Sequence, residues 1–89
     1  MSLFKLGDVV ATPGALQLCE ASKINPLLLL GRHSSGDWGN LDKADVAANV
    51  QAVQHDLRIL SSYALGSAKV WVITEADRSS TCLLLPDEY

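Results

Sequence analysis

The sequence predicts an α+β fold: two short N-terminal helices and one longer helix packed on a three-stranded antiparallel meander. Two observations carry this reading. Up to about Asp56 the apolar residues recur at helical spacing behind capping residues, and after it they alternate in short β-branched and aromatic runs bounded by turns. The length of 89 residues allows one domain, 1–89.

Residues 8–11 are a short β-branched stretch, either a strand or simply an entry segment. Thr12-Pro13 is a helix start, a hydroxyl cap followed by proline at the first helical position. Ala15, Leu16, Leu18, Cys19 and Ala21 then offer an apolar face up to about Ser22. Asn25-Pro26 repeats the start signal, and Leu27, Leu28, Leu29 and Leu30 continue it. A buried strand competes for that run, but leucine lacks the β-branching that favours a strand, so a second helix is expected. Residues 31–41, GRHSSGDWGNL, are turn-rich. Asp42, with Asn40 as competitor, caps the longest helix, and Asp45 falls in its first turn where the dipole favours an anion. Val46, Val50, Val53 and Leu57 form one apolar stripe, which predicts the face that meets the core. His55 suits the C-terminal end of that helix.

Three strands complete the chain. Residues 58–65 place Ile59, Tyr63 and Leu65 on one parity. Gly66-Ser67-Ala68 supplies a hairpin loop. Residues 69–75 place Val70, Val72 and Thr74 on one face, Trp71 and Ile73 on the other. A polar connection, 76–80, leads to a third strand over 81–85, stopped by Pro86. Both faces of the middle strand are apolar, so the second face calls for cover by the N-terminal segment or another subunit. The tail, Asp87-Glu88-Tyr89, reads as a solvated end.

Composition excludes several classes. A hydrophobic share of 48% with a net charge of only −3 is not that of a disordered chain. The acidic balance argues against a general nucleic-acid binder, which shows a basic stripe. The four-leucine run is far short of the roughly 20 residues that span a bilayer. Residues 1–6 lack a signal-peptide pattern, so a cytoplasmic protein is expected. Cys19 and Cys82 sit among apolar neighbours and read as buried free thiols rather than a disulfide framework. A domain this short buries roughly 60–65% of its unfolded surface, so a homodimer would be a natural supplement.

Two polar segments concentrate the functional residue types. Segment 32–38 holds Arg32, His33, Ser34, Ser35, Asp37 and Trp38 between glycines. His33 could serve as general base or ligand with Asp37 as its orienting partner. The structural reading has Asp37 accepting backbone N–H groups and Trp38 filling the core. The second segment, 75–80 with Thr81 beside it, holds Glu75, Asp77, Arg78, Ser79, Ser80 and Thr81. Its carboxylates could hold a divalent cation together with Asp37. The structural reading has Asp77 in an Asx-turn and Arg78 paired with a carboxylate, Asp37 being one choice. Zinc spacing, a nucleophile elbow and phosphate-binding glycine loops are all lacking. No cofactor is expected.

The stretches RHSSGDWGNLDKADVAAN and RILSSYAL…KVWVITEADRSSTCLLLPDEY resemble a family of small bacterial proteins common on plasmids and other mobile elements. Its pattern is approximately RHxSGDWG, a helix, RxLSAY, WVITEADRS and a terminal LLPxEY, and it covers roughly the last two-thirds of the chain. Some members carry restriction-related labels, such as a type I restriction subunit, although a chain of this length lacks methyltransferase cofactor motifs. The matching positions are Arg32, His33, Gly36, Asp37, Trp38, Gly39, Glu75, Asp77 and Arg78. At Gly66-Ser67-Ala68 the chain departs from the Asp-Gly type of turn. The resemblance implies an accessory or anti-defence setting and brings no activity to transfer.

Two functions are therefore expected. The first is a small cytoplasmic interaction protein that binds a protein partner through loops 32–38 and 75–80, with Arg32, His33, Asp37, Trp38, Glu75, Asp77 and Arg78 as the contact residues. The alternative is a small metal-dependent nuclease or toxin-like ribonuclease using His33, Asp37, Glu75 and Asp77. The acidic charge ranks it second, because phosphate contacts dominate nucleic-acid affinity.

Overall fold

The capping signals fold as expected. The computed structural model of the chain describes residues 2–89; Met1, part of the stretch read for a leader, lies outside them. Strand β1 is Asp8–Ala11, followed by helices α1, Pro13–Ala21, and α2, Pro26–Ser34. Helix α3 is Lys43–His55, and strands β2, β3 and β4 are Ile59–Leu65, Ala68–Thr74 and Ser80–Leu84. The Thr12 hydroxyl accepts from Ala15 N at 3.1 Å, Asn25 Oδ1 from Leu27 N at 3.0 Å, and Asp42 Oδ1 from Asp45 N at 2.8 Å. Each bond satisfies a donor that the first helical turn leaves open.

The sheet differs from the expected meander. It has four strands in the order β1-β4-β3-β2, and β1 runs parallel to β4 while the other pairs are antiparallel. The meander β2-β3-β4 is present, but the short segment 8–11 extends it as an edge strand. Its register sets Val10 beside Cys82 and Ala11 beside Leu83. The β2–β3 turn has two residues, Gly66 and Ser67, since Leu65 pairs with Ala68. Gly66 there takes φ +66°, as the primed hairpin turns demand.

Cross-strand register sorts the side chains into two faces. One face carries Ala11, Leu83, Val72 and Ser61 in one row and Thr81, Thr74 and Ile59 in the next. Helices α1 and α2 cover it, and Ala15, Cys19, Leu29, Leu30, Tyr63, Val70, Val72 and Leu83 form the main core. A second, smaller core joins Trp38, Ala52 and Ile59 with Phe4, Leu41 and Val53. The opposite face carries Val10, Cys82, Ile73 and Leu60, then Leu84, Trp71 and Ser62. The expected cover by the N-terminal segment is absent, because that segment joins the sheet edge. Instead Tyr89, after a 3-10 turn over Pro86–Glu88, packs on Trp71 with ring centroids 5.8 Å apart. The tail is thus anchored: Glu88 Oε1 accepts from the Thr12 hydroxyl and from Leu85 N, both at 2.7 Å.

Helix α3 departs most from expectation. Val46, Val50 and Leu57 are 36%, 47% and 52% exposed, and its buried residues are Asn49 and Ala52. The stripe is therefore split: Val53 packs on the second core beside Ala52, while Val46, Val50 and Leu57 face outward. Polar bonds add to this narrow apolar contact. Asn49 donates to Leu60 O at 2.6 Å and accepts from Leu60 N at 3.2 Å, occupying the free edge of β2. The same edge is met by Trp38 O, which accepts from Ser62 N at 3.0 Å, and by Asn40 N, which donates to Ser62 O at 2.6 Å. No helix among the described residues is long and apolar enough to cross a membrane. Both cysteines are free, with Cys19 buried and Cys82 half-buried.

Candidate functional site

Arg32 and His33 lie in the last turn of α2 rather than in a loop, because Gly31 does not end that helix. The helical turn sends the two side chains in different directions. His33 points into the core and is fully buried. Its Nδ1 lies 2.6 Å from Ser61 Oγ and its Nε2 lies 2.9 Å from Thr74 Oγ1. Thr74 Oγ1 is in turn 2.7 Å from Thr81 Oγ1, and the Thr81 hydroxyl donates to Leu6 O at 2.7 Å.

That chain of bonds fixes the proton on His33 Nε2. Thr81 has one hydroxyl proton and places it on Leu6 O. Thr74 must therefore donate to Thr81, so Thr74 accepts from His33 Nε2–H. Burial pushes the imidazole pKa down to about 4, so at neutral pH the remaining nitrogen, Nδ1, carries no proton and accepts from the Ser61 hydroxyl. The Phe4 and Trp38 rings close around it edge-on, at 5.2 and 6.1 Å between centroids. The expectation of His33 as general base oriented by Asp37 is corrected: its nitrogens are spent on Ser61 and Thr74, and the fold seals it from solvent.

Asp37 pairs with Arg32. Arg32 Nε donates to Oδ2 at 2.7 Å, Nη2 donates to Oδ1 at 3.3 Å, and Gly39 N also donates to Oδ1 at 3.2 Å. The Arg32 hydrogen bond holds the Asp37 carboxyl below its usual range. Arg32 also stacks 4.6 Å from the Tyr63 ring centroid, while the Tyr63 hydroxyl donates to Asp37 O at 2.7 Å. The pair stays about half exposed, at 41% and 50% of its side-chain surface. Trp38 is buried and fills the second core, as the structural reading expected. Gly39 then passes so close to β2, at φ +74°, that a Cβ there would stand 2.0 Å from Ser62 O.

Arg78 does not meet Asp37. It closes the C-terminus of α3: Nη2 donates to Ala52 O at 2.8 Å and Nη1 to Leu57 O at 2.7 Å. Four carbonyls at a helix end have no partner within the helix, and a cation there also suits the dipole. His55 lies in the last turn of α3 as expected, and Arg78 adds a second basic side chain there from another element. Asp56 lies 4.0 Å from the guanidinium, and Arg78 lies 5.6 Å from the Phe4 ring centroid. Asp77 forms the expected Asx-turn, accepting from Ser79 N at 2.9 Å, and hydrogen bonds from Ser79 lower its pKa. Glu75 reaches Arg58 at 3.4 Å, both about half exposed.

The two polar segments are thus joined through Phe4, with His33 and Trp38 on one side and Arg78 on the other. They do not form a shared carboxylate cluster. Among the described residues no three His, Cys, Asp or Glu side chains are placed to hold a metal ion, so the set His33, Asp37, Glu75 and Asp77 is not assembled as one ligand shell. Sequence reasoning does not single out Phe4. Ser61 and Thr74 fall inside the quoted stretches and Thr81 beside the second polar segment, but nothing in their spacing links these hydroxyls to His33. Comparison with family models, curated proteins and solved structures returns no match for this chain.

Proposed function

We propose that the chain is a small cytoplasmic interaction protein that binds a protein partner. The observation that carries this is how the reactive groups are used. His33 and Arg78, the residues best suited to proton transfer or phosphate binding, are consumed by internal hydrogen bonds. The solvent is left with fixed polar points, the Arg32–Asp37 pair and the carboxylates of Glu75 and Asp77. Beside segment 75–80 lies an apolar strip, since Arg78 bonds the carbonyl of Leu57 and Val50 and Val46 continue it along α3. An apolar centre with a polar rim is the composition of protein interfaces. By resemblance the setting is a mobile element, where an accessory or anti-defence role fits.

The test uses immobilised wild-type chain and two variants, Val46→Lys with Val50→Lys, and Glu75→Lys with Asp77→Lys, in host extract. A protein retained by the wild type and lost by both folded variants supports the reading. Equal retention by all three overturns it, as does manganese-dependent cleavage of RNA or DNA by the purified chain.

A further inference from the structure

The sheet face turned away from the helices carries a groove of about 270 Å³, lined by Arg58, Leu60, Trp71, Ile73 and Tyr89. Leu60 and Ile73 are register partners across β2 and β3, so they form a flat apolar floor. Trp71 and Tyr89 meet edge to face, with ring planes at 68°, and make one wall. Among the described residues of the lining, Arg58 alone has a charged side chain. Its guanidinium lies 5.3 Å from the Tyr89 ring centroid, Nη1 donates to the Tyr89 hydroxyl, and Nη2 reaches Glu75 Oε2 at 3.4 Å.

We propose that this groove binds a small aromatic compound carrying one anionic group. Size sets the scale. An apolar cavity of about 150 Å³ takes benzene, so this groove has room for a bicyclic ring with a short substituent. The apolar floor and the two rings select a flat hydrocarbon surface, which gains both area burial and ring contact. The single cation then sets the ligand's charge. A guanidinium has five N–H donors, and Arg58 directs two of them at Tyr89 and Glu75. Its contact with Glu75 is long and half exposed, so a carboxylate at the groove mouth can join the guanidinium or replace Glu75 on it. A charge-assisted bond of that kind is about twice as strong as a neutral one. One cation in a chain of net charge −3 does not suit a polyphosphate.

Indole-3-propionate, indole and propionate are titrated into the ¹⁵N-labelled chain, and the two tryptophan indole N–H resonances are followed. Trp38, buried on the helix side of the sheet, is the internal control. The expected result is a saturable shift of the Trp71 resonance with indole-3-propionate and no change at Trp38. Indole alone binds on the order of tenfold more weakly, and propionate alone does not move Trp71. Arg58→Leu brings the affinity for indole-3-propionate down to that for indole, Arg58→Lys keeps part of the difference, and Glu75→Gln strengthens binding. Absence of a saturable Trp71 shift overturns the site. Equal affinity for indole and indole-3-propionate, or no effect of a folded Arg58→Leu, overturns the anionic part of the ligand.

Discussion

His33 shows how one residue sets a condition on the whole fold. Its ring is neutral, buried and bonded at both nitrogens. In the unfolded chain a histidine titrates near its ordinary value of 6.5, while burial holds the folded pKa at about 4. Between those values the unfolded state binds the extra proton, so stability is complete above pH 6.5 and falls as pH drops towards 4. The loss between pH 7 and pH 5 is about 2 kcal/mol by linkage. Urea unfolding at the two pH values measures it, and His33→Gln flattens the difference. The depressed carboxylates act lower, since Asp37, Asp77 and Glu88 start from 3.8, 3.8 and 4.5. Gly39 gives a second prediction at this scale. Gly39→Ala meets both the left-handed penalty of about 1–2 kcal/mol and the clash with Ser62 O. Gly66→Ala, with φ +66° and open space around it, meets the first alone. Denaturation of the two variants separates the terms, and Gly39→Ala is expected to be the more damaging.

Among the elements, α3 has an unusual attachment. A helix of this length generally docks through a full apolar stripe, but this one sets only Ala52 and Val53 on the second core and is held besides by Asn49 on the β2 edge and Arg78 at its C-terminal end. Hydrogen bonds to charged groups contribute about 1.5–3 kcal/mol, and Ala52 O keeps its bond from Leu57 N when Arg78 is lost, so the low end of that range applies. Arg78→Met keeps the aliphatic stem and removes those bonds. It is expected to cost stability at the low end of that range and to release the amides of the last α3 turn while β3 stays protected. Hydrogen exchange reads the difference, and equal loss of protection in β3 and α3 would count against the local role. The contrast with the other elements explains what was legible. The caps at Thr12, Asn25 and Asp42 act within three residues, so the sequence shows them directly. The alternation of Val70, Val72 and Thr74 against Trp71 and Ile73 likewise survives folding. The stripe Val46, Val50, Val53 and Leu57 is also plain, yet only Val53 meets the core, because periodicity tells only that a helix has an apolar side. What faces that side is decided by distant partners. The same holds for β1, whose parallel pairing with β4 joins residues about 70 positions apart. In the candidate site, the sequence offers His33 or Arg78 as the partner of Asp37, and its pairing with Arg32 instead depends on α2 continuing past Gly31. His33 depends on Ser61, Thr74 and Thr81, hydroxyls that look like any others on a strand.

At the scale of the molecule, the core is one-sided. The radius of gyration, 12.1 Å, is the value of about 12 Å expected for a compact domain of this length. Burial is concentrated between α1, α2 and the inner sheet face, where Leu29, Val70, Val72 and Leu83 are at most 1% exposed. Apolar surface is left on the α3 strip, on the far sheet face and on the outer sides of α1 and α2 at Leu16, Leu27 and Leu28. The strip can be tested by what it does not contribute to folding. If it were core, truncating or charging it would cost as much as other large-to-small core changes, about 2–5 kcal/mol. Exposed as it is, Val46→Lys with Val50→Lys is expected to change the stability of the isolated chain by only about 0.5 kcal/mol. Leu29→Ala serves as the core reference and is expected to cost at least about 2 kcal/mol. Thermal and urea unfolding of the three proteins at two chain concentrations completes the comparison. Were the strip buried between two copies, wild-type stability would rise with concentration and the lysine pair would abolish that rise. A concentration-independent wild type with an equally stable lysine variant shows that the strip is held open by the fold, at no gain to the monomer. That outcome would leave the strip available to a different protein, as the proposed function requires.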